Sequence, residues 1–174
     1  YLSLLLEWNT RFNLTAITDP NDIMIQHFLD SVSVLKLDLI KDNALLLDMG
    51  SGAGFPGIPI KILMPDIQLT LVDAVKKKTL FLKEVIKELE LTQSEAIHAR
   101  AEDLARTGSK REAYDIVVSR AVAELRVLFE YCLPFVKTGG YFIAHKGPNA
   151  VDEIVNAKRA LQILGGQEPK AENI

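Results

Sequence analysis

This 174-residue chain has one cysteine, one tryptophan and three histidines. The lone Cys132 excludes an intrachain disulfide and fits a reducing compartment. His27, His98 and His145, with one cysteine, show no metal-ligand spacing, so no metal is expected. No apolar run approaches the roughly 20 residues of a bilayer span, and no secretion signal is visible. No membrane association and a cytoplasmic location are therefore expected. An excess of positive charge is missing too. Lys and Arg number 20 against 23 Asp and Glu, a net charge of −3. That excludes the global basic field of a dedicated DNA-binding domain, so any nucleic-acid contact must come from a local patch. What is present is 48% hydrophobic and 25% charged residues, the balance of a soluble globular domain with one substantial core.

The most informative stretch is Leu45 to Gly57, LLLDMGSGAGFPG. Its leucines read as a buried strand. Gly50, Gly52, Gly54 and Gly57 then fall within eight residues, and Ile58 to Leu63 starts a helix closed by Pro65. Strand, glycine loop and helix in that order open a nucleotide-type βαβ unit. A bare structural turn needs only one or two glycines. The GxGxxG pattern alone also suits a dinucleotide, but a pyrophosphate binds free N–H groups at a helix start. Pro56 and Pro59 remove two of those donors. Asp48 would repel phosphate and suits a ligand carrying an ammonium or sulfonium charge. Asp48-x-Gly50-x-Gly52-x-Gly54 is the pattern of Rossmann-like S-adenosylmethionine-dependent methyltransferases.

The rest of the chain supports an α/β fold, a mostly parallel sheet with helices on both faces and a helical N-terminal extension. Residues 1–40 form the extension and residues 41–174 the donor-binding domain, with Lys36 to Ala44 as the linker. Tyr1 to Asn9 reads as a helix that breaks at Arg11 to Thr15. Asp19 caps a second helix, with Pro20 in its first turn and Ile23, Phe28, Val32 and Leu35 along it. His27 and Asp30 lie three apart on that helix, hence on one side. Strands follow at Gln68 to Val72, Ser94 to His98, Tyr114 to Ser119 and Tyr141 to Ala144, the last entered through a Thr138-Gly139-Gly140 turn. Helices read from Lys76 to Leu89 (apolar face Leu80, Phe81, Val85, Leu89), Ala123 to Phe135 and Asn149 to Leu164.

Asp73 ends the second strand about 20 residues past the loop, where such units place a carboxylate on ribose hydroxyls. It could equally cap the next helix. Ala101 and Glu102, after the third strand, suit an adenine edge, or simply a helix start. Ser119-Arg120-Ala121-Val122 closes the fourth strand, where amine-directed methyltransferases commonly place Asn/Asp-Pro-Pro-Tyr/Phe. Cytosine-C5 chemistry needs a cysteine nucleophile, and Cys132 sits in an apolar helix. Both absences point to an acceptor atom that is already nucleophilic, such as guanine N7, which needs no general base and is methylated mainly by being held in line. Lys76, Lys77, Lys78, Arg11, Arg100, Arg120 and Lys146 all fall at element ends expected on one side of the sheet, a positive rim for phosphates.

The segments WNTRFNLTAI, HFLDSVSVL, DMGSGAGFPGIP, LVDAVKKKTLFLKEV, HARAEDL, DIVVSRAVAEL and CLPFVKTGGYFIAHKG together resemble the bacterial 16S rRNA (guanine-N7) methyltransferase G family, formerly called glucose-inhibited division protein B. The resemblance covers nearly the whole chain. It implies a class I methyltransferase fold, S-adenosyl-L-methionine as donor, no metal, and guanine 527 in the 530 loop of 16S rRNA or the small ribosomal subunit as substrate, acted on by a monomer. Donor-contacting positions by this resemblance are Gly50 and Phe55, Ala101 and Glu102, and Arg120. Asp48, Ser51, Gly52, Gly54 and Asp73 complete the donor set from the wider class. Asn13, His27, Asp30 and Lys146 match polar positions of the family, and with Arg120 the last three are the catalytic-side candidates. The family continues past Ile174 into the last two strands of a seven-stranded sheet, which here leaves the fifth strand as an exposed edge. His145 stands where an apolar residue is usual. The rival readings are a methyltransferase of small molecules, an NAD-dependent oxidoreductase and a non-catalytic RNA-binding module.

Overall fold

Five strands form one wholly parallel sheet in a computed structural model that describes residues 1–120 and 122–174. The strands are β1 (Leu45–Met49), β2 (Gln68–Asp73), β3 (Ser94–His98), β4 (Tyr114–Arg120) and β5 (Val136–His145), in the order β3-β2-β1-β4-β5. The helices are α1 (Leu2–Phe12), α2 (Pro20–Ile23), α3 (Asp30–Ser33), α4 (Gly57–Leu63), α5 (Lys76–Glu88), α6 (Ala101–Arg106), α7 (Leu125–Cys132) and α8 (Ala150–Ile163). Parallel strands need crossovers, and helices supply them on both faces, so the inner strands are apolar throughout. Leu46, Leu69, Leu71, Ile116 and Val118 pack on one face; Leu47, Val72 and Val117 pack on the other. That alternation is the period-two geometry of a strand expressed as two cores.

The N-terminal helices share the first of these cores. Leu5, Leu14, Ile23 and Val34 are buried with residues of β1, β2, α4 and α5. Asp19 caps α2 as expected, accepting from the N–H groups of Asn21 and Asp22. The second helix is not uniform. A π-helical turn, Met24–Leu29, separates α2 from α3, and a 3₁₀ turn, Val34–Leu37, follows. The widened turn shifts the helix phase, so Ser31 and Val34 are fully buried while Phe28, Val32 and Leu35 are only half-buried. The expected linker is anchored, since Ile40 and Ala44 are both buried.

Three further boundaries and one helix face differ from expectation. Helix α1 runs to Phe12, three residues further, and stops where Asn13 turns left-handed. On α5 the buried side chains are Thr79, Phe81, Leu82 and Val85, and Leu80 is exposed, because Leu80 and Leu82, two positions apart, fall on nearly opposite sides of the helix and only one of them can face the core. Helix α7 is shorter, spanning Leu125–Cys132, with Pro134 in a 3₁₀ turn behind it. Strand β5 starts five residues earlier than the Tyr141 expected. Gly139 does not precede the strand but sits at an irregularity within it, between the pairs Tyr114–Val136 and Ile116–Tyr141. β5 is an edge strand, and Tyr141 is half-exposed.

Candidate active site

In an open parallel sheet the binding crevice lies beyond the strand C-termini, where the chain direction of the crossovers reverses. Here that point falls between β1 and β4. The glycine loop leaves β1, Asp73 ends β2, Ala101 opens α6 after β3, Arg120 ends β4, and His145 and Lys146 end β5. Every candidate donor residue therefore stands at one end of the sheet.

The loop is fixed by its neighbours. The N–H groups of Gly50 and Ser51 donate to Val72 O at 2.8 and 3.0 Å. Ser51 Oγ donates to Asp48 O at 2.8 Å and accepts from Val72 N–H at 3.1 Å, so this hydroxyl is a strut between β1 and β2. Gly52 N–H donates to Asp73 Oδ2 at 2.9 Å, and Asp73 Oδ1 accepts from Val75 N–H at 2.8 Å. Asp73 thus caps the following turn, one of the two roles its position suggested, and also braces the loop. Gly54 has φ +93° and is boxed in by Ile58 and Tyr1. The Tyr1 hydroxyl donates to Ala53 O, and its ring lies among Phe28, Phe55 and Phe81. Burial raises the Tyr1 phenol well above its usual range.

Asp48 is fully buried beneath the loop. Its Oδ2 accepts from Gly57 N–H at 2.9 Å, and among the described residues its Oδ1 has no hydrogen-bond partner. Burial pushes its carboxyl up to about 7, against the pull of Gly57 N–H and Arg120. Through Oδ2 the side chain holds the start of α4. The same bond answers the pyrophosphate question. Gly57 N–H is already committed, and Pro56 and Pro59 have none to offer, so this helix start cannot act as a phosphate cradle. The loop fits a nucleoside bearing a sulfonium better than a dinucleotide.

Arg120 ties the loop to the N-terminal extension. Its Nη1 donates to Asp30 Oδ2 at 2.6 Å and to the carbonyls of Gln26 and His27 at 3.2 and 3.4 Å, both on the π-helical turn. Its Cζ lies 5.2 Å from the Phe55 ring centroid, and His27 stacks on the same ring at 4.8 Å. His27 Nε2 is 2.8 Å from Thr15 Oγ1; burial and the Arg120 charge lower its pKa. His27, Asp30 and Arg120 are therefore one cluster against Phe55.

The positive rim is only partly free. Arg120 is paired with Asp30, and Lys146 is paired with Glu153 and bonded to Ala123 O. Lys76, Lys77 and Arg100 are exposed at this end, and Arg11 is exposed on α1. Ala101 is buried and Glu102 exposed at the start of α6, while Asn13 ends α1. Val122 packs over Gly50, and Ala121 lies outside the described residues. Cys132 is fully buried and its thiol is pushed far up by burial, so it cannot serve as a nucleophile. Among the described residues no group of three or more His, Cys, Asp or Glu is placed to hold a metal. No described helix is long and apolar enough to cross a membrane. Sequence reasoning missed two residues at this end. Glu153 carries no motif signal, and Tyr1 reads only as one more apolar helix position.

Residues 1–173 match the family model described as rRNA small subunit methyltransferase G. The Ribosomal RNA small subunit methyltransferase G of Alkaliphilus oremlandii is 52% identical over 96% of this chain and 70% of its own length. The protein of the same name from Desulforamulus reducens is 54% identical over 95% of this chain and 69% of its own. Among solved structures, a SAM-dependent methyltransferase from Aquifex aeolicus superposes with a TM-score of 0.62 at 20% identity, covering 88% of this chain and 86% of that one, a likeness of fold. A glycine loop braced by Asp73 at the switch point of a parallel sheet, and a match that spans the chain, lead to one assignment. The chain belongs to the rRNA small subunit methyltransferase G family and is an S-adenosylmethionine-dependent methyltransferase of ribosomal RNA.

Proposed function

We propose that the protein methylates N7 of guanine 527 in the 530 loop of 16S rRNA, with the small ribosomal subunit or its RNA as substrate. The observation that carries this reading is the cluster of Arg120, Asp30, His27 and Phe55 at the mouth of the crevice, beside a braced glycine loop. It is a site built to hold rather than to move protons. The one cysteine is buried away from it.

Gly50, Ser51, Gly52, Gly54 and Phe55 form the wall against which the donor lies. Asp48 and Asp73 set that wall from below, and Ala101 and Glu102 stand on the adenosine side. When bound, S-adenosylmethionine supplies a methyl group on a sulfonium, which departs as the neutral thioether. The guanine N7 lone pair forms the new bond, and no proton leaves N7 in that step. The chain's own work is to exclude water, orient the base plane and fix the line of attack. Arg120, held by Asp30 against the Phe55 face, fixes the wall beside the loop, and Lys76, Lys77 and Arg100 offer exposed charge for the RNA backbone. N7 lies on the major-groove edge, which side chains cannot reach in A-form RNA, so a loop guanine is the accessible substrate.

The test is transfer of labelled methyl to small subunits from cells lacking this modification, followed by reduction and aniline cleavage, which cuts at N7-methylguanosine. One cut in the 530 loop is expected. Label on another base or atom, or on free nucleosides instead of subunits, overturns the reading.

A further inference from the structure

Two side chains beyond β5 grip the backbone that follows β4. Lys146 Nζ donates to Ala123 O at 2.9 Å and pairs with Glu153 Oε2 at 2.7 Å. The same Glu153 oxygen accepts from Leu125 N–H at 2.7 Å, at the first residue of α7. Both side chains are largely shielded, at 16% and 25% exposure. The Lys146 ammonium holds the Glu153 carboxyl below its usual range, as expected of a pair that is formed. One residue before Ala123, the Val122 side chain lies over the glycine loop. A Cβ placed on Gly50 would be 2.5 Å from Val122 Cγ2. The pair therefore acts on the segment that closes the β4 side of the crevice against its β1 side, across the switch point.

We propose that Lys146 and Glu153 are positioning residues for the donor crevice: they fix residues 123–125 so that Val122 closes over Gly50, and Lys146 is not a contact to RNA phosphate. The inference rests on reading the crevice as the donor site. A surface lysine serving RNA would present its ammonium to solvent, whereas this one is spent on a carboxylate and a main-chain carbonyl. The pair is also separable from the packing of its helices. α7 and α8 meet through Leu125, Phe129, Ala157 and Leu161, a buried apolar cluster that neither side chain belongs to.

Titration of the full chain with S-adenosylhomocysteine tests this, using wild type, Lys146→Met, Glu153→Ala, the double variant and Lys146→Arg. Each disruptive single variant is expected to weaken binding by about tenfold, the scale of one lost 1.4 kcal/mol contact. The double variant should be no worse than either single, because both act on one unit. Lys146→Arg should restore most of the affinity. In turnover, the donor KM should rise while the RNA KM and its salt dependence stay put. The opposite pattern overturns the proposal: unchanged donor binding, a salt slope reduced by about 1 in Lys146→Met, and tighter RNA binding in Glu153→Ala would make Lys146 a phosphate contact. Loss of cooperative unfolding in every variant, Lys146→Arg included, would overturn it in favour of a purely structural pair. Failure of the wild type to bind S-adenosylhomocysteine would instead remove the reading of the crevice itself.

Discussion

Arg120 Nη1 and Asp30 Oδ2 meet at 2.6 Å, joining the end of β4 to the helical extension 90 residues earlier in the chain. The guanidinium is 13% exposed and the carboxylate 48% exposed, so solvent screens only one side of the pair. Two carbonyls of the π-helical turn share the same Nη1. A double-mutant cycle of Arg120→Met and Asp30→Asn, read by urea unfolding, should give a coupling of about 1 kcal/mol. A coupling indistinguishable from zero would mean that the Asp30 carboxylate adds nothing to the hold that the two carbonyls and the apolar face already give.

His145 is half-buried, but both ring nitrogens are shielded from solvent and neither has a hydrogen-bond partner among the described residues. Leaving buried polar groups unpaired costs roughly 1–3 kcal/mol. His145→Leu keeps similar bulk and removes the cost, so it should raise stability by about 1 kcal/mol. A thermal midpoint that falls instead would show that the ring makes bonds needed by the fold.

Stability should respond to pH in two opposed ways. Asp48 has a folded-state pKa of about 7, raised from 3.8. The folded chain therefore holds that proton more tightly than the unfolded chain. Its stabilising contribution is complete below about pH 4 and is lost as pH rises through about 7. His27 and His145 are shifted down from 6.5, mainly by burial, so their neutral forms favour folding and that contribution is lost as pH falls below 6.5. Asp48→Asn removes the first effect only. The variant should gain on the wild type between about pH 4 and pH 7 in urea unfolding, and a constant difference would show that folding leaves the Asp48 proton affinity unchanged.

Gly57 has an ordinary backbone angle, so its constraint is space alone. A Cβ there would lie 2.7 Å from Asp48 Oδ2 and 2.8 Å from Leu71 Cδ2. Gly57→Ala should cost about 1–3 kcal/mol, as overpacking of a filled core does. Gly147 has nothing within 4 Å, and Gly147→Ala should stay within about 0.5 kcal/mol of wild type. Equal effects at the two positions would contradict the packing beneath the loop.

The glycine loop, Asp73 and the Asp19 cap were legible because each is a local pattern with a local cause: a turn, a strand end, a helix start. Their partners in space were not. Glu153 is seven residues past Lys146 and on a different element, so no spacing rule joins them. The bond from Asp48 to Gly57 depends on how α4 settles over β1, which periodicity does not show. Leu80 and Leu82 are both apolar on α5, and only packing against the sheet decides that Leu82 goes in. Gly139 and Gly140 look like a turn in sequence; in space they fall at the irregularity inside β5, between its pairings at Val136 and Tyr141. The π-helical turn left no mark in composition, yet it supplies the carbonyls that receive Arg120.

The most direct test of the account is to locate the donor on the chain. Amide resonances of the isotope-labelled protein would be followed as S-adenosylhomocysteine is added. The largest shifts should fall on Gly50, Gly52, Gly54, Phe55, the Asp73 to Val75 turn and Ala101 to Glu102, with smaller ones at Arg120. Shifts concentrated elsewhere, or none at saturating ligand, would contradict the placement of the donor at the switch point between β1 and β4.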